Sequence, residues 1–547
     1  MDSISVLERL RLEYKPSSTA VLDGDAAQTQ LVEREATTAQ GDHAQIREAF
    51  PSLYGSPRVE FAVGQPQGES LSRALRVGVV LSGGQAPGGH NVIVGLYDAL
   101  QQQHPGSELI GFLGGPKGIL DSDHRLLSRE RIDAHRNTGG FDLIGSGRDK
   151  IDSEADLTRC RESCSRLGLD GLVVIGGDDS NTNAAQLAES FASHGSELVV
   201  VGVPKTIDGD LKGSGIEASF GFDTATKLYS ELIGNIQRDA RSAKKYWHFI
   251  KLMGRSASHV TLECALRTRP NVALIGEEVR QRDWTLKQVT DYVAGIVRRR
   301  SEAGRNYGVC LVPEGLIEFI PEIGRLISAL NSTLAADDAL ADAEFDRQRA
   351  LLSERLGDAE AATFVSLPES IQRQLLLDRD SHGNVQVSRI ETESLLAQTV
   401  SEALNGDLPF STQQHFFGYE GRCAAPSNFD ANYTFALGQV AARLIVHRRN
   451  GYLAAVGRLA APATEWVAGG IPLTSLMQIE TRKGRPTPVI AKALVDLEGA
   501  PFSTFSSRRP DWIEEDVYRY PGPIQYFGPS ELTDRPTHTL QLEAESR

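Results

Sequence analysis

Residues 76–91 read RVGVVLSGGQAPGGHN, and this stretch decides the fold class. The apolar run from Arg76 to Leu81 shows no polar alternation, which is typical of a strand buried on both faces. Glycines follow it, and the residues from Asn91 onward have the apolar spacing of a helix. The stretch therefore predicts a strand, a glycine turn and a helix.

The same unit recurs along the chain. Further apolar runs begin near Glu108, Asp170, Glu197, Asn271 and Tyr307, and glycine or proline closes each of them. Apolar strands that alternate with helical segments are typical of parallel βαβ units. The sequence thus predicts an α/β fold of the doubly wound type, in which ligands bind at the carboxyl ends of the strands.

Composition changes along the chain, and these changes predict its division into segments. The stretch after the predicted Tyr307 strand becomes rich in Ala, Leu, Glu and Arg, which indicates helices. The expected division is an N-terminal arm at 1–75, a first α/β domain at 76–235, a second at 236–320 and 406–500, a helical insertion at 321–405 and a surface tail at 501–547.

The overall composition is that of a globular protein, and it excludes several classes. Lys+Arg 57 against Asp+Glu 72 gives a net charge of −15, so we expect no binding to nucleic acid or to an anionic membrane. No signal peptide is apparent, and no apolar run approaches the ~18 residues of a membrane span. The 5 cysteines lack the spacing of a zinc site, so we expect reduced thiols and a cytoplasmic protein.

Glycine is in excess, and its distribution is uneven. Of the 52 glycines, 25 lie between Arg76 and Asp223. An average frequency of about 7% would place about 10 there. We interpret the excess as backbone cleared of side chains so that amides can approach phosphate.

The first glycine turn is a candidate anion site. It reads SGGQAPGG over residues 82–89 and precedes a predicted helix. Backbone amides and the positive end of the helix dipole favour a phosphate there. No Gly-Lys-Ser/Thr follows, so this is not a Walker loop. Tight packing of the strand on the helix is the alternative.

The second turn places two acids at a strand end. Asp178 and Asp179 follow two glycines in the sequence GGDDS at residues 176–180. Like charges this close are costly unless a cation lies between them and an anionic ligand. Oxygen ligands at a glycine turn suit Mg²⁺, which bridges protein carboxylates and substrate phosphates. Helix capping by one of these residues is the simpler alternative.

The third loop combines acids with a lysine. The sequence PKTIDGD at residues 204–210 contains Lys205, Asp208 and Asp210 directly after an apolar strand. An acid among phosphates can take a proton from an attacking hydroxyl, and a lysine can neutralise phosphoryl charge. A charged surface turn is the alternative.

The fourth candidate is a basic and aromatic stretch from Arg238 to His259. It gives an acidic protein a local cationic surface, although a strand flanked by solvated charges would look similar. Arg255, Glu314 and Arg422 also stand at the ends of predicted strands.

Taken together, these loops resemble the phosphofructokinase family. Its motifs occur here in order as SGGQAPGG at 82–89, GGDDS at 176–180, PKTIDGD at 204–210, MGR at 253–255, PEG at 313–315 and YEGR at 419–422. Within that family the chain is most similar to the long, pyrophosphate-dependent form, from about Arg76 to the C-terminal region. The resemblance implies two doubly wound, Rossmann-like domains, the first for pyrophosphate and Mg²⁺ and the second for fructose 6-phosphate.

The resemblance also implies roles for single residues at the donor end of the site. Gly83, Gly84 and Arg148 would hold the pyrophosphate, and Asp178 would contact Mg²⁺. Asp208 would be the general base that takes the proton from the 1-hydroxyl of the sugar. The other residues implied at the catalytic centre are Asp179, Lys205 and Asp210.

A second set of residues is implied at fructose 6-phosphate. Lys245 and Tyr246 would reach the sugar phosphate from a neighbouring subunit, which implies a homodimer. The full implied set is Thr206, Ile207, Asp208, Lys245, Tyr246, Met253, Gly254, Arg255, Glu314, Tyr419, Glu420, Gly421 and Arg422.

Two positions bear on the identity of the phosphoryl donor. Relatives that use ATP carry glycine where Asp179 stands and usually where Lys205 stands. A carboxylate at 179 would put bulk and negative charge where the nucleotide α-phosphate must lie. We therefore expect pyrophosphate as donor and a reversible reaction that serves glycolysis and gluconeogenesis. An ATP-dependent enzyme and a non-catalytic regulatory subunit are the alternatives, and the intact loops argue against the second.

Overall fold

A computed structural model describes residues 4–26, 29–64, 72–213, 215–335, 340, 343–377, 385–482 and 485–546. Its contacts divide the chain into two units. The first consists of the chain up to Ala225 together with Tyr419–Ala493 and Ile524–Ala544. The second consists mainly of Thr226–Gly418 and Leu494–Pro523.

The predicted α/β class is confirmed, and most of the predicted apolar runs are strands. Residue types explain this, because Val, Ile and Leu fill runs that are buried on both faces. The strands of the described residues are β1 Thr29–Ala36, β2 Pro57–Val63, β3 Arg76–Leu81, β4 Glu108–Phe112, β5 His124–Leu126, β6 Gly171–Gly176, β7 Val199–Thr206, β8 Phe220–Gly221, β9 Trp247–Leu252, β10 Val272–Ala273, β11 Gly308–Pro313, β12 Thr412–Phe417, β13 Tyr452–Gly457, β14 Val467–Pro472, β15 Met477–Arg482 and β16 Arg485–Ile490.

The first unit contains a large mixed sheet in the order β1-β2-β14-β13-β7-β6-β3-β4-β5, with β8 paired to β7. Its centre is parallel, since β3 pairs with β4 and β6, and β6 pairs with β7. The carboxyl ends of β3, β6 and β7 therefore meet at one edge. The three polar loops predicted from the sequence follow these three strands.

Four strands of this sheet differ from the expected division of the chain. The arm contributes the antiparallel pair β1 and β2, and β2 pairs with β14. Residues 406–500 were expected in the second domain, but β13 pairs in parallel with β7 of the first sheet. Pairing between strands far apart in sequence leaves no signal in local periodicity, so the sequence did not predict it.

The second unit contains a four-stranded sheet in the order β10-β11-β9-β12. All three of its pairings are parallel. Leu252 of β9 pairs with Pro313 of β11 and with Phe417 of β12, so the three carboxyl ends lie level. The motifs MGR and PEG follow β9 and β11 directly.

Helices connect and cover both sheets. In chain order the described helices are α1 Val6–Leu12, α2 His43–Ala49, α3 Gly89–Gln103, α4 Pro116–Leu120, α5 Arg129–Asp133, α6 Glu154–Arg166, α7 Asp178–Ser193, α8 Phe222–Ala243, α9 His259–Thr268, α10 Gly276–Gln281, α11 Leu286–Glu302, α12 Leu316–Phe319, α13 Pro321–Ala335, α14 Phe345–Arg355, α15 Asp358–Ser366, α16 Glu369–Leu377, α17 Thr392–Leu404, α18 Tyr419–Arg422, α19 Asn428–Val446, α20 Ala500–Glu514, α21 Ser530–Thr533 and α22 His538–Glu545.

Helices α3 and α19 pack closely because glycine lines their contact. A Cβ at Gly95 would collide with the carbonyl of Phe435, and a Cβ at Gly438 would collide with the carbonyl of Val92. Side chains at these two positions would push the helices apart. The position of α3, which begins at the first glycine turn, is therefore fixed by its packing.

The helical insertion shares a core with the sheet of the second unit. Trp247 and Phe249 of β9 belong to one buried cluster with Phe364, Leu395 and Leu396 of the insertion. The insertion is thus part of this unit's core. Among the described helices, none combines the length and the apolar character needed to cross a membrane.

Candidate active site

The first glycine turn lies beneath three cationic side chains. The amide of Gly83 donates to the carbonyl of Gly147 at 2.8 Å, which brings Arg148 next to the turn. A Cβ at Gly83 would lie 3.2 Å from the ammonium of Lys205, and a Cβ at Gly84 would collide with Nη1 of Arg422. Gly83 also has a φ of 85°, which disfavours other residues. The two glycines therefore allow cations to approach the backbone closely.

Lys205 is the most buried of these cations. It is the penultimate residue of β7, and only 5% of its surface is exposed. Burial, and to a lesser extent the charge of Arg422, lower the pKa of its ammonium to about 8, although Asp208 and Asp178 act in the opposite direction. Among the described residues no carboxylate lies within ion-pair distance of this ammonium, so the buried cation can bind an anionic ligand.

Two carboxylates beside this turn are among the described residues with a buried oxygen that accepts no hydrogen bond. Asp178 is the first residue of α7, directly after β6, and its Oδ2 has no hydrogen-bond donor. Asp208 follows β7, and its Oδ1 also has none, although its own amide donates to Oγ1 of Thr206 at 3.1 Å. Buried acceptors of this kind usually have partners. These two acids are therefore candidates for a bound ligand or cation.

The carboxyl of Asp210 has a raised pKa. It is 7% exposed, and burial, with the charges of Asp208 and Asp178, raises its pKa to about 7. The carbonyl of Asp210 accepts from the amide of Ala493 at 2.8 Å. At neutral pH this carboxyl is thus partly protonated and adds less negative charge than its neighbours.

Oδ2 of Asp178 accepts no hydrogen bond and has the ammonium of Lys492 at 3.5 Å, and a carboxylate oxygen of this kind fits a hard cation. Mg²⁺ keeps most of its water and binds through one or two carboxylates together with substrate phosphates. In the described part of the chain, no three His, Cys, Asp or Glu side chains group as a ready-made metal site. An acid beside a glycine turn would suit Mg²⁺ bound together with a phosphate ligand.

Two cations near these acids were not predicted from the sequence. Lys492 lies with its Nζ 3.5 Å from Oδ2 of Asp178. Arg482 donates from Nη1 to Oδ1 of Asp179 at 2.5 Å. Both residues belong to the strand pair β15–β16 or follow it directly, about 300 positions away in the chain from the acids they contact. The basic sequence TRKGR at residues 481–485 is a sequence signal for Arg482 but does not include Lys492.

The motif YEGR lies in the first unit as the short helix α18. Tyr419 is 68% exposed, whereas Arg422 reaches the backbone of Gly84. The family resemblance implies that this motif binds the sugar phosphate. The structure places Arg422 in the same cationic cluster as Lys205 and Arg148.

The second unit brings together the residues that follow its sheet. Glu314 is 4% exposed, and its Oε2 accepts from the amide of Gly254 at 3.1 Å. A Cβ at Gly315 would collide with the carbonyl of Arg255, so the PEG and MGR motifs pack directly against each other. Met253 is buried and Arg255 is exposed. The predicted set at 253–255 and 314 thus forms one cluster.

Lys245 and Tyr246 do not belong to that cluster. They precede β9, whereas Met253 follows it, and β9 has 6 residues. A strand of this length separates its ends by about 20 Å. The ammonium of Lys245 lies 5.0 Å from the ring centre of Tyr246, at the amino end of the strand. One subunit therefore cannot bring both groups to the same sugar phosphate.

Comparison with known proteins gives a consistent family. The model of the phosphofructokinase family matches residues 76–445. A pyrophosphate–fructose 6-phosphate 1-phosphotransferase of Treponema pallidum is 53% identical and covers 99% of this chain and 97% of its own length. The beta subunit of the Solanum tuberosum enzyme is 49% identical over 98% of this chain and 94% of its own. The alpha subunit of that enzyme is 39% identical over 96% of this chain and 87% of its own.

A solved structure shows the same fold. The pyrophosphate-dependent phosphofructokinase of Nitrosospira multiformis superposes with a TM-score of 0.55 and covers 82% of this chain and 93% of its own. Its sequence is 18% identical, so this likeness concerns the fold alone.

Proposed function

This chain belongs to the phosphofructokinase family, and from that premise we propose that it transfers a phosphoryl group from pyrophosphate to the 1-hydroxyl of fructose 6-phosphate. The products are fructose 1,6-bisphosphate and phosphate. The proposal is supported by relatives that are named for this activity and that are about half identical over almost the whole chain. We expect the reaction to be reversible, because pyrophosphate and the sugar bisphosphate are both phosphoryl donors of moderate energy.

The buried ammonium of Lys205 is the observation that carries the proposal. It lies against Gly83, beside Arg148 and Arg422, where a phosphate held by the turn amides would meet three cations. Such a cluster stabilises the charge that spreads over a transferring phosphoryl group. Asp208 takes the proton of the attacking 1-hydroxyl, and the bond between the bridging oxygen and the transferred phosphorus breaks as the new ester bond forms.

Asp178 would hold Mg²⁺ together with the phosphates of the donor. When bound, the cation neutralises phosphate charge and orients the donor. Lys492 lies 3.5 Å from Asp178 and balances part of the acid charge there. We further propose that the 253–255 and 314 cluster binds fructose 6-phosphate. A cytoplasmic location stays a prediction from the sequence.

One assay with two alternative substrates tests which phosphoryl donor the protein uses. Purified protein is given fructose 6-phosphate with either pyrophosphate or ATP, each with and without Mg²⁺, and fructose 1,6-bisphosphate is measured. We expect turnover with pyrophosphate and Mg²⁺, and at most weak turnover with ATP. Faster turnover with ATP would make the chain an ATP-dependent enzyme, and none with either donor would favour a regulatory subunit.

Lys205 leads to an expected pH dependence. Its ammonium is charged below its pKa of about 8 and neutral above it. We therefore expect kcat/KM for pyrophosphate to fall as the pH rises through about 8, because kcat/KM reports groups of the free enzyme. Lys205→Arg stays charged over this range, so its decline should begin at least about one pH unit higher. Initial rates of both enzymes, at constant ionic strength, test this.

The ionisation of pyrophosphate itself is common to both enzymes, so the difference between their profiles reports Lys205. Identical alkaline declines would assign the titration to another group.

We also propose that the enzyme is a homodimer in which Lys245 and Tyr246 serve the partner's site. The reason is the separation of about 20 Å between the two ends of β9. The test mixes a Lys245→Ala chain with an Asp208→Asn chain, after mild dissociation and reassociation. In a hybrid dimer, one site then has an intact Asp208 from its own chain and an intact Lys245 from the other.

Random reassociation makes half of the dimers hybrid, with one restored site each, so we expect about a quarter of wild-type activity. Each variant alone should stay nearly inactive at low fructose 6-phosphate. If mixing restores nothing although hybrids form, Lys245 serves its own chain's site or none.

A further inference from the structure

The strand pair β15–β16 brings cations to the acidic end of α7. The amide of Ile490 donates to Oγ1 of Thr182 in the first turns of that helix at 3.1 Å, which anchors the pair. From this anchor Arg482 donates to Asp179 at 2.5 Å and approaches Oε2 of Glu480 at 3.4 Å. All of these residues belong to the first unit.

The ion pair reduces the negative charge that Asp179 presents to its surroundings. The side chain of Asp179 is 53% exposed and that of Arg482 is 31% exposed. Arg482 donates from Nη1 to Oδ1 of Asp179 at 2.5 Å. The charge of the Asp179 carboxylate is therefore compensated within hydrogen-bonding distance. Asp179 keeps its bulk but acts as a much weaker local anion.

A weaker local anion matters because the proposed donor is strongly anionic. Pyrophosphate would approach a turn that already has Asp178, Asp208 and Asp210 nearby. Each further uncompensated carboxylate repels it, most strongly where the site is shielded from water. An unpaired Asp179 would therefore exclude nucleotides and weaken pyrophosphate binding at the same time.

We propose that Arg482 is a donor-specificity residue that acts through Asp179. By pairing with that carboxylate it leaves the bulk that excludes a nucleotide in place and removes the charge that would repel pyrophosphate. Arg482 is thus a positioning residue of the donor site. The inference rests on the proposed function, since it concerns how that function selects its donor.

The test is a double-mutant cycle of wild type, Arg482→Gln, Asp179→Asn and the double variant. Asp179→Asn keeps the size of the side chain and removes its charge. We expect Arg482→Gln to raise the KM for pyrophosphate about 5- to 10-fold, because it leaves Asp179 charged and unpaired while water partly screens that charge. The KM for fructose 6-phosphate and the kcat should change little.

Combining the two substitutions should restore the KM for pyrophosphate to within about threefold of Asp179→Asn alone, because no charge is then left to compensate. Arg482→Lys should retain most of the wild-type affinity, since it keeps the cation. Arg485→Gln is the matched control, because Arg485 is an exposed cation of the same strand pair. Its KM for pyrophosphate should equal that of wild type.

An equal loss from Arg482→Gln with aspartate or with asparagine at position 179 would overturn the proposal, because Arg482 would then act on the donor directly. An effect on kcat alone, or on the melting temperature alone, would also overturn it. Pyrophosphate binding measured by calorimetry repeats the cycle without turnover. If the wild type binds pyrophosphate but transfers no phosphoryl group, the proposed function fails while the binding cycle still judges the ion pair.

Discussion

Replacing Asp208 by asparagine is expected to lower kcat for fructose 1,6-bisphosphate formation about 10²- to 10⁴-fold, which is the usual contribution of a general base. Asparagine keeps the shape of the side chain, and the backbone amide of residue 208 can still donate to Oγ1 of Thr206. Asparagine cannot, however, accept the proton of the sugar hydroxyl. The KM for both substrates should stay within a few-fold of wild type. Steady-state kinetics in both reaction directions measure the effect.

Asp210 provides the matched control for this experiment. Burial and the neighbouring acids raise its pKa to about 7, so near neutral pH it is already partly neutral. Asp210→Asn imitates the neutral form, and we expect a loss below about tenfold. Equal losses in the two variants, or near-normal turnover of Asp208→Asn, would remove Asp208 from the role of base.

The second large effect is a change of donor. The substitution Lys205→Gly should lower kcat/KM for pyrophosphate about 10²- to 10³-fold, because one preorganised cation at the phosphoryl group is lost. Adding Asp179→Gly removes the bulk beside the turn, so the double variant should gain activity with ATP. The four enzymes are compared by kcat/KM for each donor at saturating fructose 6-phosphate.

The outcome depends on both positions. Asp179→Gly alone should admit ATP weakly and keep most of the pyrophosphate activity, since Lys205 stays in place. If Lys205→Gly keeps full activity with pyrophosphate, the buried ammonium does not act on the transferring group. If no variant gains ATP activity, bulk at position 179 is not what excludes the nucleotide.

Much of the donor site could be predicted because its parts are local in sequence. Each of β3, β6 and β7 is an apolar run followed at once by polar residues. The strand and its loop are therefore recognised together from one short stretch of sequence. Parallel strands then bring their carboxyl ends to one edge. This is why Gly83, Lys205 and Asp208 could be placed at strand ends before the fold was known, while their roles stay predictions.

The compensating cations could not be predicted in this way. Arg482 and Lys492 reach α7 through β15 and β16, which are separated from it by about 300 positions. Tertiary contacts of this kind leave no mark on local periodicity. In the sequence Asp179 looks like a lone negative charge, whereas in the structure it is paired with Arg482.

The interpretation of the glycine excess was partly wrong. Gly83 and Gly84 do clear the backbone for cations at the candidate phosphate site. Gly95 serves helix packing, and Gly78 leaves room within the sheet for the side chains of Phe112 and Leu169. The number of glycines alone does not show whether a glycine lets a ligand approach the backbone or lets two elements pack closely.

Phosphoryl transfer from pyrophosphate is tested most directly by following phosphorus itself. Purified protein with Mg²⁺, pyrophosphate and fructose 6-phosphate is observed by ³¹P NMR. We predict that each pyrophosphate consumed yields one orthophosphate and one new ester at the 1-position of the sugar. We also predict that fructose 1,6-bisphosphate and phosphate regenerate pyrophosphate in the reverse direction. Release of two orthophosphates without any new sugar ester would contradict the account, because pyrophosphate would then be hydrolysed and not used as a donor.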